Sequence, residues 1–598
     1  MLIKALCDYY DILAEKGEVT EEGFCMQPVS YMVFLRPDGS VSEIADIRIE
    51  KTSIAKNGKK KSDFLPVAIK LPFRERSTTI KAYKIDHRSR YIFGLNYEDN
   101  ILNPEDNKNS AKISHGKFIE ENLSFIEGID SPVVNAYRNF INHWRPEEET
   151  ENELLIKLGK AFSDSGFCFA LDGHPEIKLH EDSFVLKRVL ESVESVQCPT
   201  DDMQFCAITG EKDRIARLHN NVKGLMGQKA GTFVCVNNPS EESFGKVQAY
   251  NSSVSETAMK KYTEAFNTLS GDPRYKAYID GMTVLYWAMS KKSGVEVEAF
   301  SALALDKPDT PEQIQNSINK IMEYTLAGKH FDLANVGINV DVEFYIAGFV
   351  PNSSRVSQKF VYHNKFGRIF ENVLKHQKDM ALEATKKHTS IGQIARELKP
   401  PKAKRENTPP ALVASIFGSV INGTRYPHQL LETVIRRVKT DTDDEKSKYI
   451  KINNTRMGII KACINRNARF LGKEEEIKMS LDKENTNAAY LCGRLFAVLE
   501  KVQTAALGEL NTGIKDAYFA SACSKPAVVF PRIIKLSQNH MAKIRSDRKE
   551  LAGYFNKTIG EIIGMLDTEF PNTLSLEDQG KFIMGYYHQL YFKKSNEN

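Results

Sequence analysis

Between Lys399 and Pro410 the chain reads Lys-Pro-Pro-Lys-Ala-Lys-Arg-Glu-Asn-Thr-Pro-Pro. Proline has no backbone donor and its ring clashes with the preceding turn, so paired prolines around a charged run cannot continue a helix. A linker is therefore expected at 398–410, and the two sides of it differ in pattern. On the N-terminal side, Pro28–Leu35 and Ser40–Ile49 alternate around Arg36-Pro37-Asp38-Gly39 and predict a β-hairpin. Tyr91–Leu95, Gly231–Asn237, Val284–Ala288 and Val340–Val350 read as strands. Residues 117–144, 254–269, 311–326 and 367–398 read as helices, with Ser255 placed to cap the second of these. On the C-terminal side the pattern is helical almost throughout. Leu491, Leu495, Leu499, Val502 and Ala506 recur at helical steps, as do Ile559, Ile562, Ile563 and Leu566. Phe582, Ile583, Tyr586 and Leu590 follow Ser575-Leu576-Glu577-Asp578, a capping box with Asp in place of Glu. The expected fold class is α+β: a mixed α/β region over 1–397, then helices only. Residues 411–478 form a helical connecting region and 479–598 a helix bundle.

The 598 residues have room for about three to five domains, or two large ones. Lys plus Arg is 82 and Asp plus Glu 78, so the net charge of +4 excludes a polycation and an acidic disordered chain. Nine cysteines with no CxxC pair fit a reducing cytoplasm rather than a zinc ribbon. No apolar run of about 18 residues occurs, so no membrane span is expected. The N-terminus carries Leu2, Ile3, Leu6, Tyr9, Tyr10 and Leu13 at helical spacing, an amphipathic helix rather than a signal peptide.

Catalytic patterns are missing. There is no GxxxxGK[ST], GxGxxG, GxSxG or HExxH, and Gly227-Gln228-Lys229-Ala230-Gly231 lacks the Ser/Thr a P-loop needs. No cofactor and no metal are expected. Asp441, Asp443, Asp444 and Glu445 are the best carboxylate cluster for a metal-dependent nuclease. The plainer reading is a solvated acidic loop after a basic helix.

Two segments concentrate positive charge. Residues 48–90 carry thirteen Lys/Arg against four Asp/Glu, a local net of +9, densest at Lys56-Asn57-Gly58-Lys59-Lys60-Lys61. A Gly inside a Lys run predicts an exposed loop, suited to phosphates through counterion release. Arg74, Arg76, Arg88 and Arg90 follow, with Ser77, Thr78 and Thr79 as phosphate donors. The second segment holds Arg532, Lys535, Lys543, Arg545, Arg548 and Lys549, opposed only by Asp547. On one helix much of it would form a positive stripe for a single-strand backbone. In each case the alternative is a solvated surface. Tyr586-Tyr587 reads as bundle core rather than as a base-stacking pair, and His219 and His588 as structural histidines.

Several ordered blocks resemble one known family. They include Met1–Tyr10, Cys206-Ala207-Ile208-Thr209-Gly210-Glu211, Ile215–His219, Ser243-Phe244-Gly245-Lys246 and Val284–Ala288. In the C-terminal half they include Gly423–Pro427, Ile460-Lys461-Ala462, Gly493–Glu500, Leu576–Gly580 and Gly585–Gln589. Together they resemble the large subunit of the type I-C CRISPR Cascade surveillance complex, over nearly the whole chain. The resemblance implies a non-enzymatic cytoplasmic protein that reads the short motif beside the target (the PAM), helps open the duplex and holds the displaced strand. It implies as partners target double-stranded DNA, the crRNA-containing backbone and 5′-end subunits, and a helicase–nuclease. One departure stands out. Relatives often carry a Pro-Asn-Phe-Leu-like stretch before an Asp and a Tyr-x-x-Gly strand, whereas Lys81-Ala82-Tyr83-Lys84-Ile85 precedes Asp86 here. The expected DNA/PAM contacts are therefore Lys56, Asn57, Lys59, Lys60, Lys61, Arg74, Arg76 and Ser77, with Gln27 in a facing hairpin as an amide reader. The resemblance also implies that the bundle is made separately as a small subunit by internal translation. Met479, after Lys473-Glu474-Glu475-Glu476, is the expected start and Met457 the lesser one. The alternatives are a metal-dependent DNA-processing enzyme and an architectural subunit without DNA contact.

Overall fold

The computed structural model describes residues 1–20, 23–54, 60–74, 79–98, 101–104, 110–196, 203–292, 294–305, 311–329, 331–383, 388–401, 403, 407–444, 449–508, 512–566 and 569–591, with the backbone alone over 51–54, 60–63 and 193–196. The chain packs as two compact units: Met1–Val222 with Thr232–Phe266, and Lys223–Gly231 with Asn267–Asn598.

The first unit opens with α1 (Leu2–Glu15), whose Leu2, Leu6, Tyr9, Tyr10 and Leu13 are buried, as their spacing requires. β1 (Phe24–Val29), β2 (Tyr31–Leu35), β3 (Val41–Asp46), β4 (Ile49–Ile54), β5 (Lys60–Leu65) and β6 (Val67–Pro72) follow. β2 and β3 form the expected hairpin. Its turn is closed by Asp38, which accepts from the Ser40 amide at 2.9 Å, and by Gly39 at φ 90°, a left-handed conformation natural to glycine. α2 (Ser89–Phe93), β7 (Asn96–Glu98), β8 (Ile101–Asn103), α3 (Ser110–Phe125), α4 (Pro132–His143), α5 (Glu153–Ile156) and α6 (Ala161–Asp164) lead to β9 (Phe167–Leu171) and β10 (His174–Lys178). The central sheet has the order β10-β9-β2-β3, with β2 and β9 parallel. α4 lays Val134, Tyr137, Phe140 and Ile141 on this sheet, and Ser131 caps it by accepting from the Val134 amide at 3.4 Å. Phe93, Phe140, Trp144 and Phe167 meet ring to ring in the core. α7 (Ser183–Val196), β11 (Met203–Phe205), β12 (Lys212–Arg214) and α8 (Glu256–Gly271), the last as far as Phe266, complete the series. Ser255 caps α8 as expected, accepting from the Ala258 amide at 3.2 Å.

Two expected strands are absent. Tyr91–Phe93 belong to the helix α2, which ends at Gly94 with φ 66°. A short continuous apolar run is compatible with a buried strand or a buried helical turn, and the glycine decides for the helix end here. Residues 231–237 form no strand; instead Phe233 packs edge-on against Tyr262 and Phe266.

The second unit is built on an antiparallel sheet of β13 (Lys276–Ile279), β14 (Met282–Ala288), β15 (Glu343–Asn352) and β16 (Arg355–Lys365), in that order. Every residue of β14 is buried, which explains its unbroken apolar run. α9 (Val295–Phe300), α10 (Glu312–Leu326), α11 (Phe366–Met380) and α12 (Ile391–Glu397) share one core with the sheet. The segment 398–410 lies within this unit. Thr408 is buried and donates to the Ala395 carbonyl at 3.1 Å, and Lys399 pairs with Asp280. Pro410 is the first residue of α13 (Pro410–Asn422), the position where its missing donor costs nothing. α14 (His428–Thr440), α15 (Asn454–Phe470), α16 (Ala488–Leu507), α17 (Ile514–Ala522), α18 (Pro526–Asp547), α19 (Lys549–Gly564) and α20 (Leu576–Tyr591) are the helical remainder. The fold class is thus α+β. α16 is buried without interruption from Ala489 to Leu499 and packs most closely on α20. That approach passes through glycine: a Cβ at Gly493 would stand 1.9 Å from the Phe582 carbonyl oxygen, and one at Gly585 2.1 Å from that of Tyr490.

Candidate nucleic-acid interface

The N-terminal basic segment is organised by three strands. β4 and β5 pair antiparallel with Ile54 opposite Lys60 and Ser53 opposite Lys61. Lys60 and Lys61 therefore begin a strand rather than sitting in a loop. Lys56, Asn57 and Lys59 lie outside the described residues, as do Arg76 and Ser77. Among the described residues the β4–β5 ladder gains no third strand. Its base exposes Ile49 and Phe64, and Arg48 lies 5.5 Å from the Phe64 ring centre while its Nε donates to Asp46 at 2.9 Å. Gln27 is not in the β2–β3 hairpin. It belongs to β1, opposite Ile69 of β6, half-buried, with its amide on the Cys25 sulfur at 3.3 Å.

Arg74 departs most from expectation. Instead of offering a free guanidinium, it reaches inward to the His87 ring and to the Ile85 carbonyl at 3.4 Å, over the Tyr83 ring at 5.3 Å. Burial opposes its charge and also lowers the His87 pKa, leaving a neutral ring able to accept at Nδ1. Asp86, fully buried, anchors the group. It accepts from the amides of Tyr83 at 3.0 Å and Arg88 at 3.1 Å, and from Arg88 Nε at 2.9 Å. Burial alone would raise its pKa; the Arg88 hydrogen bonds and the nearby guanidinium charges outweigh it and hold the carboxylate well below its usual range. Between them, Ile85 has φ 50°, an uncommon conformation for a β-branched residue. Asn122 of α3 holds it there by accepting from the Ile85 amide at 2.7 Å and donating to the Tyr83 carbonyl at 3.1 Å. Such strain persists only where the surroundings over-determine it. Asn122 had no local signal in the sequence, because its partners lie about 40 positions away.

The C-terminal segment fulfils the expected pattern in part. α18 buries Phe530, Ile533, Ser537, Met541 and Ile544. Arg532, Lys535 and Lys543 fall on the opposite face, all exposed and without an ion pair among the described residues. Val528 and Leu536 are also exposed on this helix. Arg532 lies 5.6 Å from the Tyr518 ring centre. Arg545 points off this stripe, since its helical position is roughly a third of a turn from the others at about 100° per residue. Arg548 is the junction residue between α18 and α19, donating to the Ala505 carbonyl, and Lys549 starts α19.

The carboxylate cluster divides: Asp441 is buried in ion pairs, while Asp443 and Asp444 stay exposed on a loop, as the solvated reading expects. Asp441 is buried between Arg437 at 3.2 Å and Arg456 at 3.1 Å. Asp443 takes Lys515 at 2.6 Å and the Lys451 amide at 2.7 Å. Glu445 lies outside the described residues. Tyr586 and Tyr587 are core, and Tyr490 meets the His588 ring at 3.0 Å while His219 meets Tyr262 at 2.6 Å. Burial lowers both histidines to about 4. Residues 473–478 are irregular rather than a helix start, with Glu475 on Arg469 at 2.7 Å and Glu476 on Lys581 at 2.6 Å. Met479 follows them, half-exposed, its carbonyl accepting from the Glu383 amide at 3.1 Å. No described helix is long and apolar enough to cross a membrane.

No curated protein sequence matches the chain. The family model described as CRISPR-associated protein (Cas_Csd1) matches residues 6–591. The match spans both units and both basic segments, and the chain therefore belongs to the CRISPR-associated Cas_Csd1 family, a family of Cascade-type subunits.

Proposed function

We propose that the chain is the non-catalytic large subunit of a type I-C Cascade complex. In this reading the 48–90 segment anchors the PAM duplex, and α18 holds the displaced strand. The observation that carries it is the α18 stripe. Three cations without an ion pair among the described residues lie on the face away from a packed core, where a backbone of regularly spaced phosphates releases counterions on binding. Base pairing would read sequence while the protein reads the flanking motif and the backbone. The salt bridges of Asp441 and Asp443 favour this reading over a metal-dependent nuclease, because each acid already has a cationic partner.

The partners in this proposal are target DNA, the crRNA-bearing backbone and 5′-end subunits, and a helicase–nuclease. Replacing Lys59, Lys60 and Lys61 by Gln in the assembled complex should weaken PAM-duplex binding and flatten its salt slope by about 2–3. An unchanged slope rejects that segment as the anchor. A crosslink from residues 48–90 to the PAM duplex separates this role from a purely architectural one. A separate product starting at Met479 belongs to the same proposal. Mass spectrometry of the purified complex should find a C-terminal species beginning there, and its absence rejects the second product.

A further inference from the structure

The second unit holds a cavity of about 650 Å³ between the C-terminal parts of α10 and α11, α15 and the segment entering α16. That size is ordinary for a small-ligand site. Its apolar wall includes Phe331, Leu333, Leu374 and Ile477. Its rim carries Lys329, Lys375 and Lys378, exposed and without an ion pair among the described residues, and also Glu371 and Glu475, which are paired with Arg368 at 3.5 Å and Arg469 at 2.7 Å.

The decisive residue is Lys461, also on the lining. It is only 4% exposed. Its ammonium donates to the Asp379 carbonyl at 2.9 Å and the Lys378 carbonyl at 3.5 Å, at the C-terminal end of α11. The helix end offsets part of its charge. No carboxylate among the described residues lies within ion-pair distance of it. The nearest candidate, Asp379, is already engaged by Arg466 at 2.9 Å and Arg469 at 2.7 Å. A buried cation without a counter-ion is costly, and an ammonium has three donors of which two are used here. An anion in the cavity supplies the missing charge, and the exposed lysines draw it in.

We propose that this cavity binds one unpaired nucleotide, its phosphate toward Lys461, Lys375 and Lys378 and its base against Phe331 and Leu333. The inference does not depend on how the PAM is read. A phosphate alone would leave the apolar wall without a role. The nucleotide comes either from a single strand or from the free pool.

The test is lysine-acetylation footprinting of the full chain by mass spectrometry, with a hexathymidylate, with thymidine monophosphate and with inorganic phosphate as separate probes. Protection of Lys329, Lys375 and Lys378 by the hexamer alone supports the site with a strand as source. Equal protection by the monophosphate supports it with free nucleotide as source. Protection by phosphate as strong as by either nucleotide overturns the base contact, and no protection at these lysines overturns the site. Lys375→Gln with Lys378→Gln, both on the surface, should lower the salt slope of hexamer binding by about 1.4 at roughly 0.7 per phosphate contact. Lys461→Met should abolish protection at Lys329; retained protection in a folded Lys461→Met protein overturns the role given to the buried ammonium.

Discussion

Gly585→Ala tests the glycine-mediated approach of α16 and α20. Ordinary contacts sit near 3.5 Å, whereas the new methyl would stand 2.1 Å from the Tyr490 carbonyl oxygen and 2.9 Å from its carbon. The obstacle is backbone, so no side chain can swing aside. α16 and α20 must part by more than about 1 Å, loosening the Phe496 contacts with Phe582 and Tyr586 and the 2.6 Å bond from Tyr586 to Glu500. Overpacking of this kind costs about 1–3 kcal/mol or more. Alanine's higher helix propensity returns about 1 kcal/mol. With the clash against rigid backbone, the upper end applies, and a net loss of about 2 kcal/mol is expected. Gly560→Ala in α19 is the control, because nothing lies within 4 Å of its added methyl. It should gain about 0.5–1 kcal/mol. Amide hydrogen exchange on the full chain reads both locally. Exchange along α16 and α20 should accelerate about thirty-fold in Gly585→Ala, and exchange along α19 should slow in Gly560→Ala. If Gly585→Ala slows exchange as the control does, the glycine-mediated contact is refuted.

Three further outcomes are expected. Replacing Arg532, Lys535 and Lys543 by Gln should lower the single-strand salt slope by about 2 and spare PAM-duplex affinity, while Arg545→Gln alone, off the stripe, leaves stability of the opened duplex closer to wild type; equal loss of both affinities in the triple variant contradicts the two-segment assignment. Arg74→Gln should destabilise the first unit by about 1–3 kcal/mol in thermal melts, because it strands the groups of a half-buried network, yet leave the DNA salt slope unchanged; a flattened slope would return Arg74 to the DNA. Burial pushes the Glu264 carboxyl up to about 7. In the unfolded chain it titrates near its ordinary value, so its contribution to stability falls as pH rises from about 4.3 through 7 and is constant above. Glu264→Gln should therefore gain on wild type in denaturation midpoint more at pH 8 than at pH 4.5, and an equal difference at both contradicts the raised value.

Elements whose signals are local are legible in the amino-acid order itself. The spacing of Leu2, Leu6 and Leu13 makes α1, Asp38 and Gly39 make the β2–β3 turn, and Ser255 begins α8. The segments that depart from expectation are short. Tyr91–Phe93 is too brief for its period to separate helix from strand, and Phe233 is held by distant rings rather than by a ladder. On α18 the sequence locates the cations, but the burial of Phe530, Met541 and Ile544 determines which of them share a face.

Charge illustrates the division most clearly. By itself the sequence determined the fold class and the two concentrations of Lys and Arg, because periodicity and local net charge are read within a window of a few turns. It did not distinguish Arg74, Lys461 and Arg532, which carry the same formal charge. Tertiary structure turned Arg74 inward to His87, buried Lys461 against the carbonyls of Lys378 and Asp379, and left Arg532 on the surface. The free energy of a charge depends on its solvation and on partners that for Lys461 lie more than 80 positions away, and only the folded chain brings those together.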